Sequence, residues 1–147
     1  MKKTIGLTLF TILPIFAAAV ETRACIGHLF RDPWPDHAMF HMLMGLGGLL
    51  AAYGLILFLA WGPLRRGERW SWFAIAYAAT IVHGGQLLSD IVTNGGLQNQ
   101  DPIAGNGTVI FGAIIVILVL YAVALSLTWS TTRRRLGDLG PVSEMTR

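Results

Sequence analysis

Four long apolar runs, separated by short polar segments, dominate the pattern of the chain. The runs cover residues 4–20, 37–61, 70–92 and 108–129. Each is long enough for a helix to cross the hydrocarbon core of a bilayer, which takes about 17–25 residues. The pattern therefore predicts an all-α integral membrane protein: a four-transmembrane-helix bundle that forms a single membrane domain over residues 1–147.

The first apolar run has two interpretations, which the sequence leaves open. Lys2 and Lys3 precede it, and three alanines (residues 17–19) follow its apolar core, as in a cleaved secretory signal. Alternatively, it is a retained transmembrane helix at the short end of the usual length, with a tolerated Pro14. We favour retention, because the polar segment at residues 21–36 is rich in groups that need a partner on this helix.

The basic residues indicate how the chain crosses the bilayer. They form clusters at Lys2–Lys3, Arg65–Arg69 and Arg133–Arg135, each next to an apolar run. Positive charge accumulates on the cytoplasmic side of membrane proteins. Both termini are therefore predicted to be cytoplasmic, with polar segments 21–36 and 93–107 on the other side. The predicted location is the bacterial inner membrane.

Composition narrows the class of protein further. Hydrophobic residues make up 54% of the chain and charged residues 13%, whereas soluble domains have about 25% charged residues. The net charge of +3 comes from the topology clusters, so we expect the lipid bilayer and not nucleic acid as a partner. Cys25 is the single cysteine, which excludes an internal disulfide and a zinc site built from several cysteines.

Polar residues that are unusual in membrane helices converge on the non-cytoplasmic half of the predicted bundle. Ionisable side chains within a bilayer are costly and mark functional sites. We therefore predict a polar pocket there. Its predicted lining is Glu21, His28, His83, Gln86 and Asp101.

The sharpest local signal is the pair His37 and His41 at the start of the second apolar run. The two histidines lie one helical turn apart and share a face with Gly45 and Gly48. Such a pair can share a metal ion, or one histidine can ligate haem iron. Interface histidines with ordinary hydrogen bonds are the alternative. His41 is one turn deeper and is the predicted cofactor and metal ligand.

His37 and Asp90 are the predicted catalytic residues. In this hypothesis they supply a proton or orient the substrate, as positioned histidines and carboxylates do. Asp90 has a plainer alternative, in which it ends its helix at the interface.

Residues 28–41 resemble a family of small four-helix membrane proteins of unassigned function, marked by a His-x-Phe-x-x-x-Trp-Pro-x-His-x-x-x-His motif. The matching residues are Glu21, His28, Trp34, Pro35, His37, Phe40 and His41. The Asp101-Pro102 pair also looks like that family's Asp-Pro. This sequence departs from the family at Arg31 and Asp32, where Asn is usual, and at Met39, where Arg is usual. The helices match only in number and hydropathy.

More distantly, the same region is similar to styrene oxide isomerase, a four-helix membrane enzyme. A Trp-Ala-Arg-Ala-His segment opens the second helix of that enzyme, and its histidine ligates haem b, which acts as a Lewis acid toward an epoxide oxygen. The resemblance implies haem b, or another metal, at His41. The family's helix-two Asn falls at Gly47 here, and its helix-three Tyr has no secure counterpart.

Two classes of function follow from these observations. One is a haem- or metal-dependent isomerase of a small lipophilic substrate, because a pocket between apolar helices suits such molecules and a metal polarises a substrate oxygen. The other is a non-catalytic membrane subunit or small transporter of protons, metal or a small molecule. The glycines of the second helix also permit the close packing of a homo-oligomer.

Overall fold

The computed structural model describes residues 1–29, 36–93, 100–101 and 105–133. The elements are α1 (Lys2–Leu29), α2 (Asp36–Leu59), a π-helical turn (Ala60–Leu64), α3 (Arg69–Thr93), β1 (Gln100–Asp101), β2 (Gly105–Asn106) and α4 (Gly107–Arg133). β1 pairs with β2 in antiparallel register. The predicted all-helical class is confirmed. The predicted Trp34-Pro35 entry to the second helix and the arginines at 134 and 135 lie outside the described residues.

α1 is longer than the sequence predicted. The prediction ended this helix at residue 20 and assigned residues 21–36 to a loop, but the helix continues to Leu29. The loop assignment was therefore wrong for residues 21–29. This stretch contains no proline and only one glycine, Gly27, so its backbone has little reason to leave the helix. Glu21 and Cys25 consequently lie one turn apart on a helix.

α2 ends in a wider turn, where the sequence predicted a break. The prediction placed the end at Trp61, before Gly62-Pro63, whereas a π-helical turn carries the chain through Pro63 to Leu64. Proline has no N–H to donate, so a regular α-helical ladder cannot pass through it, and a single π turn is one way to accommodate it. The chain then reverses at Gly67, whose φ of 89° suits glycine.

The four helices pack so that α1 and α3 each contact both α2 and α4. Leu7, Phe10 and Leu13 from α1 meet residues of all the other helices in one core. The remaining members of that core are Ile56, Leu59, Ala60, Leu64, Ile75, Ala79, Tyr121 and Ala124. Because every helix contributes to one core, the described residues form a single helix bundle.

The outer surface of this bundle is strongly apolar. Phe58, Tyr77 and Val109, for example, are 67%, 70% and 68% exposed. Three described helices are long and apolar enough to cross a membrane: Lys2–Gly27, Ala38–Leu64 and Thr108–Trp129. α3 differs because it carries polar residues along its inner side. These features support an integral membrane protein, since a soluble monomer seldom exposes large apolar surfaces.

The basic residues gather at one end of the bundle. The Lys3 ammonium donates to the backbone oxygen of Arg65 at 2.7 Å. The Arg69 guanidinium lies 5.1 Å from the ring centroid of Trp129, at the far end of α4. Tryptophan and arginine are typical of a membrane–water interface. The structure thus brings the basic clusters at Lys2–Lys3 and Arg65–Arg69 together beside the far end of α4.

Glu68 organises the short connection between α2 and α3 at this basic end. Its carboxylate accepts hydrogen bonds from Arg66 Nε and Trp70 Nε1, each 2.8 Å long. These two bonds hold the pKa of the Glu68 carboxyl below its ordinary value. The turn is therefore held by charge-assisted hydrogen bonds that are complete only while Glu68 is ionised.

Candidate functional site

A hydrogen-bonded chain of three polar side chains crosses the interior between α1 and α3. Gln86 Nε2 donates to Glu21 Oε1, and His83 Nδ1 lies 3.0 Å from Gln86 Oε1. His83 and Gln86 are three residues apart and therefore share a face of α3. All three residues were predicted to line the pocket, and the structure brings them into direct contact.

The partners in this chain define which nitrogen of His83 carries its proton. A carboxylate only accepts hydrogen bonds, so the amide NH₂ of Gln86 faces Glu21 and its carbonyl faces His83. That carbonyl also only accepts, so Nδ1 of His83 must donate. In the neutral imidazole, Nε2 is then an acceptor. It is buried and has no hydrogen-bond partner among the described residues.

Two tyrosine rings enclose His83. Tyr53 of α2 is stacked on it, with ring centroids 5.9 Å apart, and Tyr121 of α4 lies at 5.5 Å on a tilt of 34°. The three residues are only 1–2% exposed. α2, α3 and α4 thus each place one ring at the centre of the bundle, next to the Glu21–Gln86 pair.

Sequence reasoning missed Tyr53 and gave no role to Tyr121. A signal for Tyr53 was present, because Gly45, Leu49 and Tyr53 follow one another at a spacing of four residues and so share a stripe of α2. The fourth helix has no comparable polar stripe. Only the packing of α4 shows that Tyr121 meets His83.

A pocket of about 330 Å³ lies between α1 and α2, beside the buried chain. Glu21 lines this pocket and is also a member of the buried hydrogen-bonded chain. Tyr53 lies one turn beyond Leu49, the deepest lining residue on α2. The described lining residues are Glu21, Ala24, Cys25, Met42, Gly45, Leu46 and Leu49.

A larger groove of about 830 Å³ runs along residues 18–27 of α1. Its described lining comes from α1 alone and includes neither Glu21 nor any other member of the buried chain. The smaller pocket is the better candidate site, because two helices and a buried polar network define it.

His41 lies apart from this centre, exposed on α2. Its ring meets the Phe40 ring edge-on, with centroids 5.5 Å apart. At Gly45 and Gly48, on the same face, an added Cβ would meet nothing within 4 Å. Within the described ranges, no group of three or more His, Cys, Asp or Glu residues could hold a metal ion. His41 thus places one imidazole beside an open helix face that has room for a flat group.

The side chains of the other four predicted site residues lie outside the described part of the structure. Their backbones place His28 at the end of α1, His37 in the first turn of α2, and Asp90 in the last turn of α3. Asp101 belongs to β1. The three helix positions share the end of the bundle opposite the basic clusters. The predicted roles of these residues stay predictions.

These features define the structural class of the protein. It is a helical, membrane-type bundle with a buried chain of hydrogen-bonded side chains and a small apolar pocket. Comparison with models of known protein families, with curated proteins and with solved structures gave no match.

Proposed function

We propose that the protein is an integral membrane enzyme that isomerises a small lipophilic molecule in the pocket between α1 and α2. All four helices cross the bilayer in this proposal, and the basic end lies in the cytoplasm with both termini, at the bacterial inner membrane. The observation that carries the proposal is the position of Glu21. It lines an apolar pocket and is hydrogen-bonded into the core.

The pocket suits a small and largely apolar molecule. Its volume of about 330 Å³ falls at the lower end of the usual range for small-molecule sites, which is roughly 300–1,000 Å³. Met42, Leu46 and Leu49 provide apolar walls. Isomerisation is the reaction that this lining supports best, because a proton taken from one atom of the substrate is returned to another and no co-reactant is needed.

Glu21 is the proton-transfer group in this proposal. Gln86 holds one of its carboxylate oxygens, which fixes the orientation of the carboxyl group at the pocket wall, as efficient general acid–base catalysis requires. His37 and Asp90 remain the residues predicted to supply a proton or to orient the substrate. His37 lies in the first turn of α2, and Asp90 lies in the last turn of α3. Both positions are on the side of the bundle toward which Glu21 lies.

Glu21→Gln is expected to lower the isomerisation rate by about 10²-fold, within the range for loss of a general acid or base. Glutamine keeps the shape of the side chain but cannot carry the proton. The measurement uses protein in liposomes and a panel of small lipophilic β,γ-unsaturated ketones, with and without an additional hydroxyl group, in D₂O. NMR follows double-bond migration and deuterium uptake. Glu68→Gln, which changes a carboxyl at the basic end, is the matched control. Equal rates for Glu21→Gln and the wild type would contradict the proposal.

The proposal includes haem b, or another metal, as the cofactor. His41 would hold the iron, and the open face formed by Gly45 and Gly48 would lie against the flat side of the group. Bound there, haem supplies a Lewis acid that polarises a substrate oxygen. Gly45 also lines the pocket, so the His41 face borders the substrate site. The same open face is compatible with a homo-oligomer.

A Soret band is the expected spectral signature of the purified protein in detergent. His41→Ala is expected to abolish it, because that change removes the imidazole that would hold the iron. Met44→Ala, at another exposed position of α2, should leave the band unchanged. A colourless wild-type protein without metal by elemental analysis would exclude the cofactor and leave Glu21 as the basis of the proposed function.

A second candidate is a non-catalytic subunit or a small transporter of protons, metal or a small molecule. The Glu21–Gln86–His83 chain favours proton transport within this class, because it joins two titratable groups through the interior. We rank it second because the central amide has no acid or base function and is a poor proton relay. Proton uptake into liposomes that depends on Glu21, without any isomerised product, would favour this alternative.

A further inference from the structure

Three buried polar atoms on neighbouring rings at the centre of the bundle have no hydrogen-bond partner among the described residues. They are the hydroxyl oxygens of Tyr53 and Tyr121 and the Nε2 atom of His83. Buried polar groups in proteins are nearly always hydrogen-bonded. Three such atoms on three packed rings therefore need a common explanation.

The geometry brings these groups together. His83 lies between the two tyrosine rings, at centroid distances of 5.9 Å and 5.5 Å. Both tyrosine rings thus pack against the same imidazole. One molecule of suitable chemistry can therefore contact all three side chains.

The donors and acceptors define that chemistry. His83 Nε2 accepts a hydrogen bond, because the ring proton is on Nδ1, which donates to Gln86 Oε1. Each phenol can donate. A carbonyl oxygen only accepts and would leave Nε2 without a donor. A hydroxyl group both donates and accepts, so it can donate to His83 while a tyrosine hydroxyl donates to it.

The pocket described above ends one helical turn from this centre. Leu49 lines the pocket, and Tyr53 follows it by one helical turn, about 6 Å along the same stripe of α2. Glu21 in the pocket wall is joined to His83 through Gln86. A molecule that places an apolar body in the pocket would direct its polar end toward Tyr53 and His83.

We infer that Tyr53, His83 and Tyr121 form the binding site for the hydroxyl group of a small lipophilic alcohol whose apolar part occupies the pocket. This inference rests on the proposed use of the pocket as a substrate site, and it names the substrate class. Water is the competing occupant, since it also donates and accepts.

The test compares benzyl alcohol with ethylbenzene, which has the same number of non-hydrogen atoms but no hydroxyl group. The full-length protein in detergent carries ¹⁵N-labelled histidine, and the probes are titrated at equal free concentration. Benzyl alcohol is expected to shift the His83 Nε2 signal, and ethylbenzene is not. Tyr53→Phe and Tyr121→Phe should each weaken benzyl alcohol binding about fivefold to tenfold, the loss expected for one hydrogen bond.

Tyr77→Phe is the matched control. Tyr77 is the remaining tyrosine of the chain and is 70% exposed on α3, so the loss of its hydroxyl should leave binding unchanged. Equal shifts with the two probes, or unchanged binding in both buried-tyrosine variants, would overturn the inference. So would an Nε2 signal that is already at a hydrogen-bonded position and does not move with the alcohol, because water alone then occupies the site.

This experiment is independent of the turnover assay. If Glu21→Gln leaves isomerisation unchanged while alcohol binding depends on both tyrosines, the isomerase proposal fails and the alcohol site stands. If Glu21→Gln abolishes turnover while the tyrosine variants bind as the wild type does, the isomerase stands and the alcohol site fails.

Discussion

His83→Ala is expected to lower the free energy of unfolding by about 3–5 kcal/mol. The imidazole is 1% exposed and lies between two tyrosine rings, so alanine leaves a cavity that the bundle can close only partly. The change also removes the N–H group that donates a hydrogen bond to Gln86 Oε1. The measurement is unfolding with sodium dodecyl sulfate in mixed micelles, followed by circular dichroism.

Two further substitutions separate the causes of this loss. His83→Phe keeps an aromatic ring in the stack but removes both nitrogens, so we expect a smaller loss of about 1–3 kcal/mol from the unpaired amide. Thr80→Ala changes an exposed residue one turn away on α3 and should cost less than about 0.5 kcal/mol. A loss for His83→Ala no larger than that for Thr80→Ala would show that the rings do not pack as described.

Gly6→Ala is expected to lower the free energy of unfolding by about 2 kcal/mol, and Gly6→Leu by about 3 kcal/mol or more. A Cβ at position 6 would lie 2.7 Å from Thr128 Cγ2 and 3.0 Å from the backbone oxygen of Ala124. Thr128 cannot easily rotate away, because its hydroxyl donates to the same Ala124 oxygen at 2.9 Å. The same unfolding assay in mixed micelles measures the loss.

A compensating change tests the cause of the Gly6 effect. Thr128→Ser keeps the hydroxyl and removes Cγ2, so the double variant with Gly6→Ala should recover part of the loss. Gly54→Ala is the control, because an added Cβ there meets nothing within 4 Å, and it should not destabilise the bundle. An unchanged stability for Gly6→Leu would mean that α1 does not pack against α4, as expected if the first segment were cleaved.

These two predictions concern different parts of the bundle. Gly6 sets how closely α1 approaches α4 near the basic end, where Phe10 and Tyr121 also meet, with ring centroids 6.2 Å apart. His83 holds α2, α3 and α4 together at the level of the buried chain. Tyr121 takes part in both contacts, so the packing of α1 on α4 and the geometry around His83 are connected through one ring.

Part of the candidate site could be predicted from the sequence. The spacing of His83 and Gln86 placed them on one face of a helix, and Glu21 was predicted to line the same pocket. The contact between Glu21 and Gln86 could not be predicted, because it depends on how α1 and α3 face each other. Tyr53 was missed because its stripe of α2, shared with Gly45 and Leu49, indicates a role only when the helix that it faces is known.

The end of α1 shows a related limit. Glu21 and Arg23 looked like loop residues, since charged side chains are rare within membrane helices. In the structure the helix continues to Leu29, because the local backbone preference for a helix persists and Gln86 of α3 provides a hydrogen-bond partner for Glu21. Only the tertiary structure shows that this charged residue has a partner inside the bundle.

By itself, the sequence determined the number and order of the helices and the gathering of basic residues at one end. The number of helices follows from the number and length of the apolar runs. The gathering of basic residues follows from their positions in the chain, because successive helices run in opposite directions. The opening histidine pair was its sharpest signal, yet His41 lies exposed on α2 and the buried polar centre formed around His83. Only the tertiary structure decided this, because burial and hydrogen-bond partners depend on which helix faces meet.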